Sequence, residues 1–160
     1  MKKLLLATLA TAALSITAVA TFAQDDTPFA NQIKARQSFM QLYRFNLMTL
    51  GAMARGDMEY DAELASGAAN NMLAASKMSN GPMWPAGSDS SAPGLAGVTA
   101  AKADIWANMS MVGEKSQALS AALEAMAAAA GDGLGAVRAN MGAVGDGCSG
   151  CHDNYRESDD

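Results

Sequence analysis

The sequence predicts an all-α protein, an antiparallel up-and-down four-helix bundle. Three observations favour this fold class. Alanine, glycine and twelve methionines are prominent among the 160 residues, whereas the β-branched and aromatic residues that favour strands are scarce. Apolar residues recur at steps of three and four, which is the pattern of one helix face. Two of the three junctions between such stretches are short, as neighbouring antiparallel helices require.

The charge and the rare residues exclude several classes of function. Eleven basic and sixteen acidic residues give a net charge of -5. So acidic a chain lacks the electrostatic footprint that nucleic acid binding requires. One histidine excludes a multi-histidine metal site, and two cysteines are too few for a disulfide framework.

The first segment has the pattern of a secretory signal peptide. Lys2 and Lys3 precede an apolar, uncharged run at residues 4–20, and Thr21-Phe22-Ala23 places small side chains where a signal peptidase cuts. We therefore predict removal of residues 1–23 and a mature domain over residues 24–160. The alternative is a retained membrane anchor, but the run barely reaches the roughly 20 residues that a span requires. No second run approaches that length, so we expect an exported protein of the bacterial periplasm without a span in its mature chain.

The first predicted helix begins near Thr27-Pro28, because threonine is a good N-cap and proline suits the first helical position. Gly56-Asp57 ends it. One face of this helix is marked by side chains at steps of three and four: Ile33, Arg36, Met40, Tyr43, Leu47 and Leu50.

Three further helices follow. The second begins at Asp61, which is predicted to cap it, and runs to about Met78. Residues 79–99 contain three prolines and four glycines and predict a long loop, which in a small domain usually has a function or covers something. The third predicted helix covers residues 100–130, and the fourth covers residues 134–157.

The fourth helix carries the motif with chemical content. Its apolar stripe follows a heptad pattern: Leu134, Val137, Met141, Val144, Cys148, Cys151 and Tyr155. Both cysteines lie on this inward stripe, and His152, four residues after Cys148, shares the face of that cysteine. Residues 148–152 read Cys-Ser-Gly-Cys-His, the attachment signal of a c-type haem.

The spacing has a physical reason. Two thiols one helical turn apart can meet two vinyl groups on one porphyrin edge, and the next residue then offers an imidazole to the iron. Three alternatives compete with this interpretation. A thioredoxin-like pair needs a βαβ context, a structural zinc site needs four ligands, and a disulfide across so small a loop would constrain almost nothing. We therefore predict one covalent haem c per chain.

At these residues the chain resembles the cytochromes c', the class II c-type cytochromes, which are four-helix bundles with the haem motif on the last helix. The resemblance covers nearly all of the mature chain. It is carried by four segments: ARQSFM at 35–40, WPAGS at 84–88, ADIW at 103–106 and CSGCHDNYR at 148–156. The resemblance also implies a homodimer that pairs through its first two helices.

The resemblance implies a role for each matching residue. His152 would be the proximal iron ligand, held beside the thioethers of Cys148 and Cys151. Met40 would face the open side of the iron. Arg36 and Gln37 would lie along the haem edge near the propionates, and Arg156 would pack beside the proximal histidine. Ser88 and Asp89 match loop positions that approach the haem.

Other interpretations of these side chains remain open. Arg36 could extend its charge to the surface from an apolar stripe, although a buried propionate explains a buried cation better. Gln37 could simply face water, and Arg156 could form a solvated salt bridge with the acidic tail. Met40 could fill the core. Trp84 and Trp106 are most simply aromatic residues of the core or of the haem pocket.

Two functions follow from these residues. The first is electron transfer with redox partner proteins, or binding of small neutral gases such as NO and CO at a five-coordinate iron. The second is a six-coordinate electron carrier in which the Met40 sulfur binds the iron and closes it to gases. An enzyme such as a peroxidase needs polar acid-base groups over the iron, and the single histidine is already assigned. We therefore expect no enzymatic activity.

Overall fold

The computed structural model describes residues 27–158, so the predicted signal peptide and its cleavage site lie outside the described residues. Five α-helices occur in the described range: α1 at Ala30–Arg55, α2 at Ala62–Ser76, α3 at Asp104–Ala107, α4 at Met109–Ala129 and α5 at Leu134–Tyr155. A single 3-10 turn lies at Gly81–Met83. Over this same range no helix is long and apolar enough to cross a membrane.

The four long helices pack as the predicted bundle. Helix α1 contacts α2 and α5, and α4 contacts the other sides of α2 and α5, which closes a ring of four. Alanines and methionines fill much of the core between them. The small alanine side chains let the helices approach closely, and the flexible methionines fill the remaining gaps. The fully buried large side chains of this core are Leu50, Met53, Met72, Leu123, Met126, Val137 and Val144.

The predicted end of the first helix is confirmed, but the predicted Thr27 cap at its start is wrong. Gly56 adopts φ 86° and its N–H closes the last turn, a conformation that glycine reaches without a Cβ penalty. At the other end, Thr27 and Pro28 form a turn before the helix. The N-cap is Phe29 at φ 57°, without a side-chain cap. The helix therefore begins at Ala30.

The second and third predicted stretches had different outcomes. Asp61 caps α2 as expected, because its carboxylate accepts a hydrogen bond from the Leu64 N–H at 2.8 Å. The single third helix at 100–130 is wrong: the chain breaks at Asn108, where φ is -130° and ψ is 43°, and so forms the short α3 and the long α4.

Residues 100–102 are extended and pair with the chain just beyond α5. The Glu157 N–H donates to the Ala100 carbonyl at 2.8 Å, and the Lys102 N–H donates to the Tyr155 carbonyl at 3.0 Å. An isolated antiparallel bridge joins Ala101 to Arg156. The long loop is therefore fastened to the end of the helix that carries the Cys-x-x-Cys-His motif.

Candidate functional site

Helix α5 presents its two cysteines on the stripe that the sequence predicted. Val137 and Val144 of this stripe are buried, and Cys148, Cys151 and Tyr155 are partly buried. His152 follows on an exposed part of the same helix end. The two thiols thus lie one helical turn apart at the border of the bundle, beside an accessible imidazole.

The surroundings of the two thiols differ from those of a redox-active pair. Burial raises the pKa of the Cys148 thiol, and the neighbouring Cys151 raises it further. Burial also raises the pKa of Cys151, while Lys115 acts in the opposite direction. Redox-active pairs instead depend on a lowered thiol pKa. In addition, no three His, Cys, Asp or Glu side chains among residues 27–158 are placed to hold a metal ion together.

The predicted face of α1 lies opposite these cysteines. Burial raises the pKa of Tyr43 to about 12, and Cys148 contributes to the same rise because it lies nearby. Phe39 packs edge-on against the Tyr43 ring at 5.1 Å between centroids. Met40 lies one turn before Tyr43 and has an exposed fraction of 39%. Tyr43 therefore lies on the side of the bundle that holds Cys148, whereas Met40, which the sequence predicted on the same inward stripe, is exposed and Phe39 is buried instead.

Arg36 is a buried cation that joins α1 to the long loop. Its exposed fraction is 3%. It donates from Nη1 to the Ser88 hydroxyl at 2.7 Å, and from Nη2 to the Ser88 carbonyl and to the Thr99 hydroxyl. Its guanidinium also lies 4.9 Å from the ring centroid of Trp84, a cation-π distance. Burial lowers the pKa of Arg36, and Asp89 opposes this.

The structure brings the predicted loop residues to the same place. Ser88 is fully buried, and its hydroxyl accepts from Arg36 and donates to the Pro85 carbonyl at 2.7 Å. Asp89 is also buried, and a hydrogen bond from the Ser91 hydroxyl lowers its pKa. Gln37 is exposed and donates to the Val98 carbonyl at 2.9 Å.

The remaining predicted residues lie around this cluster. Arg156 is exposed just beyond α5, and its N–H donates to the His152 carbonyl at 3.2 Å. Trp106 and Trp84 are partly buried, with ring centroids 6.5 Å apart, and the Trp106 indole donates to the Trp84 carbonyl. Because the Arg36 guanidinium packs on its ring, Trp84 is more than an aromatic residue of the core.

Sequence reasoning missed two members of the site. Thr99 accepts a hydrogen bond from Arg36 across 63 positions of the chain, and no local pattern predicts such a contact. Lys115 of α4 lies beside Cys151 and Gly150. Lys115 lies on a different helix from the motif, so the helical period of the sequence does not link the two.

The four-helix bundle with a Cys-x-x-Cys-His motif on its last helix defines a class, the helical-bundle c-type haem proteins. The donor set fits haem c: two adjacent thiols for the thioethers, one imidazole for the iron and a buried arginine for an anionic group. A family model described as Cytochrome C' matches residues 31–156. The chain therefore belongs to the cytochrome c' family, whose cofactor is covalently bound haem c.

Individual relatives agree with this assignment. The chain is 35% identical over 156 residues to a cytochrome c' of Cereibacter sphaeroides, which covers 98% of each chain. It is similar to the solved cytochrome c' of Rhodobacter spheriodes, with a TM-score of 0.76 and 32% identity over 81% of this chain and 98% of that one. Another solved cytochrome c', described as having an unusual ligand-controlled dimer dissociation, has a TM-score of 0.73 and 27% identity over 81% of this chain and 97% of that one.

Proposed function

We propose that this protein works in the periplasm as a haem c protein that transfers electrons, binds small neutral gases at a five-coordinate iron, or does both, and that it is not an enzyme. The observation that carries this proposal is the position of the Cys-x-x-Cys-His motif. It lies at the partly buried end of α5, near Tyr43 of α1. The bound haem supplies a ferric–ferrous couple and one coordination position for a ligand.

Each residue of the motif has a defined task in this proposal. Cys148 and Cys151 form the two thioethers, and in the free thiols burial raises the pKa of both. His152 offers its imidazole to the iron as the proximal ligand. Arg156, whose N–H bonds the His152 carbonyl, packs beside that ligand.

The haem edge is held by Arg36 and the residues around it. The bonds of Arg36 to residues in the range 27–158 use one Nη1–H and both Nη2–H groups, out of five N–H donors in a guanidinium. The other two, on Nε and Nη1, lie on opposite edges of the guanidinium, so one of them can donate to a propionate. Gln37, Ser88 and Asp89 complete this side of the site.

Met40 covers the open side of the iron as an apolar lid. Its flexible side chain fills space without supplying a hydrogen bond, so a neutral diatomic gas can enter where a charged ligand would lose its water without compensation. We favour this lid over coordination by the Met40 sulfur, because methionines on a helix stripe more often pack than bind a metal. The relative described with ligand-controlled dimer dissociation supports ligand binding in this fold.

We also propose that the protein is a homodimer paired through α1 and α2. The supporting observation is a group of exposed apolar side chains, here called the α1 apolar face: Leu42, Phe45 and Met48. Phe45 has an exposed fraction of 71%, which is unusual for a large aromatic side chain. Leu64 of the adjoining α2 is exposed as well.

The test of the proposed function is covalent haem attachment. The purified wild-type protein should keep haem stain through acid-acetone extraction and denaturing electrophoresis. Replacing both Cys148 and Cys151 with Ala should release the haem, whereas replacing Ser149 with Ala, between them, should not. Haem stain that survives in the double cysteine variant would contradict the proposal.

A further inference from the structure

We propose that Thr99 is a positioning residue: it fixes the buried guanidinium of Arg36 and thereby raises the reduction potential of the haem. The inference rests on the proposed function, because it needs the haem to lie beside Arg36. The observation that starts it is geometric. The Thr99 hydroxyl accepts a hydrogen bond from Arg36 Nη2 at 2.7 Å, and both side chains are buried.

Thr99 is one of three supports that hold Arg36 in a single orientation. The Ser88 hydroxyl and carbonyl fix one edge of the guanidinium, and the Trp84 ring covers a face at 4.9 Å. A guanidinium is planar and its N–H donors point in fixed directions, so these hydrogen bonds fix its orientation. The rotatable ammonium of a lysine would not be fixed in this way. The bond to Thr99 extends this hold to a second segment of the loop, eleven residues beyond Ser88.

Thr99 also connects Arg36 to the helix that carries the haem motif. The same hydroxyl oxygen accepts from the Ala101 N–H at 3.2 Å, so both of its acceptor sites are used. Ala101 pairs with Arg156, directly beyond α5, and the neighbouring Glu157 N–H bonds the Ala100 carbonyl. The position of the Arg36 charge relative to the end of α5 is therefore set through Thr99.

The effect on the potential follows from the charge. The ferric haem carries one more positive charge than the ferrous haem, so a fixed nearby cation favours reduction. This field acts strongly because the cation is buried in a medium of low dielectric constant. Asp89, the acidic side chain that acts on Arg36, offsets part of the field. Removing the Thr99 acceptor leaves a buried N–H of Arg36 without its partner, and the guanidinium then turns toward water.

The experiment compares reduction potentials of the haem-loaded protein. Thr99→Val keeps the shape of the side chain and removes the acceptor, so it should lower the potential. Thr99→Ser keeps the hydroxyl and should therefore keep the wild-type reduction potential. Thr49→Val is the matched control, because within residues 27–158 the Thr49 hydroxyl bonds only the Phe45 carbonyl of its own helix, and it should leave the potential unchanged.

A double-mutant cycle separates positioning from a structural effect. Arg36→Met removes the charge at similar length and should lower the potential by more than Thr99→Val does. In the Arg36→Met background, Thr99→Val should have no further effect. Circular dichroism reports folding, and Thr99→Ala is the second variant if Thr99→Val fails to fold.

Two results would overturn the inference: a wild-type potential in both Thr99→Val and Thr99→Ala, or an equal shift by Thr99→Val with and without Arg36. Failure of the proposed function is a different result, since the wild-type protein would then carry no haem stain after denaturing electrophoresis.

Discussion

Gly147 lies directly against Leu119 of the neighbouring helix: a β-carbon at residue 147 would lie 3.0 Å from the Leu119 Cα and 3.0 Å from its Cδ1. Real β-carbons are essentially never closer than this, so the two helices are at their limit of approach here. Because Gly147 immediately precedes Cys148, the contact fixes how closely the Cys-x-x-Cys-His end of α5 packs on α4.

Gly147→Ala should therefore destabilise the protein. The added methyl group meets the backbone of Leu119, which cannot move aside without shifting α4, and overpacking of this kind costs about 1–3 kcal/mol. Gly145→Ala is the matched control on the same helix, where a β-carbon meets nothing within 4 Å. It should stabilise the protein by up to about 1 kcal/mol, since alanine is the better helix former. Denaturant unfolding of both variants checks this, and equal stabilities would contradict the close contact.

The burial of Tyr43 predicts a loss of stability in alkali. Burial raises the pKa of Tyr43 to about 12, above the value of about 10 for an unfolded chain. The folded state therefore favours the neutral phenol, and this contribution is complete below pH of about 10 and lost as the pH rises to about 12. Tyr43→Phe cannot ionise, so its free energy of unfolding should fall less across this range. Parallel pH profiles for the wild type and the variant would refute the placement of Tyr43.

The α1 apolar face predicts the oligomeric state. Phe45→Glu places a charge in the proposed interface, so the wild type should be a dimer and the variant a monomer with unchanged helix content and haem stain. Met111→Glu, at an exposed methionine of α4, is the control and should remain dimeric. Light scattering after size exclusion measures the masses. A monomeric wild type, or a dimeric Phe45→Glu variant, would contradict the proposed pairing.

Much of the fold could be predicted because its signals are local. Asp61 caps α2 through its own carboxylate, and Gly56 ends α1 because the chain needs a positive φ there. The break at Asn108 could not be predicted. No proline or glycine marks it, and the extended residues 100–102 are held by pairing with the distant end of α5. Phe29 likewise takes the N-cap position without the polar side chain that identifies a cap.

The site could be predicted in part for the same reason. The stripe of α5 and the spacing of Cys148 and Cys151 depend only on the helical period. The periodicity of α1 also placed Arg36 on an inward face. Its actual partners could not be predicted, because Ser88 and Thr99 lie 52 and 63 positions away in a loop without a periodic pattern. The burial of Phe39 was not predicted. From Arg36, a step of three leads to Phe39 and a step of four leads to Met40, and the helical period allows both.

Absorption spectroscopy of the reduced protein with and without carbon monoxide tests the central claim most directly. If His152 is the only protein ligand and Met40 is a lid, the ferrous haem is high-spin and binds carbon monoxide readily. The ferric protein then lacks the near-infrared band of methionine–histidine ligation. Met40→Ala should speed carbon monoxide binding with little change in spin state, because it removes the cover and not a ligand. The five-coordinate site would be contradicted by a low-spin wild-type protein that does not bind carbon monoxide, together with a high-spin Met40→Ala variant. That result would identify Met40 as the sixth ligand.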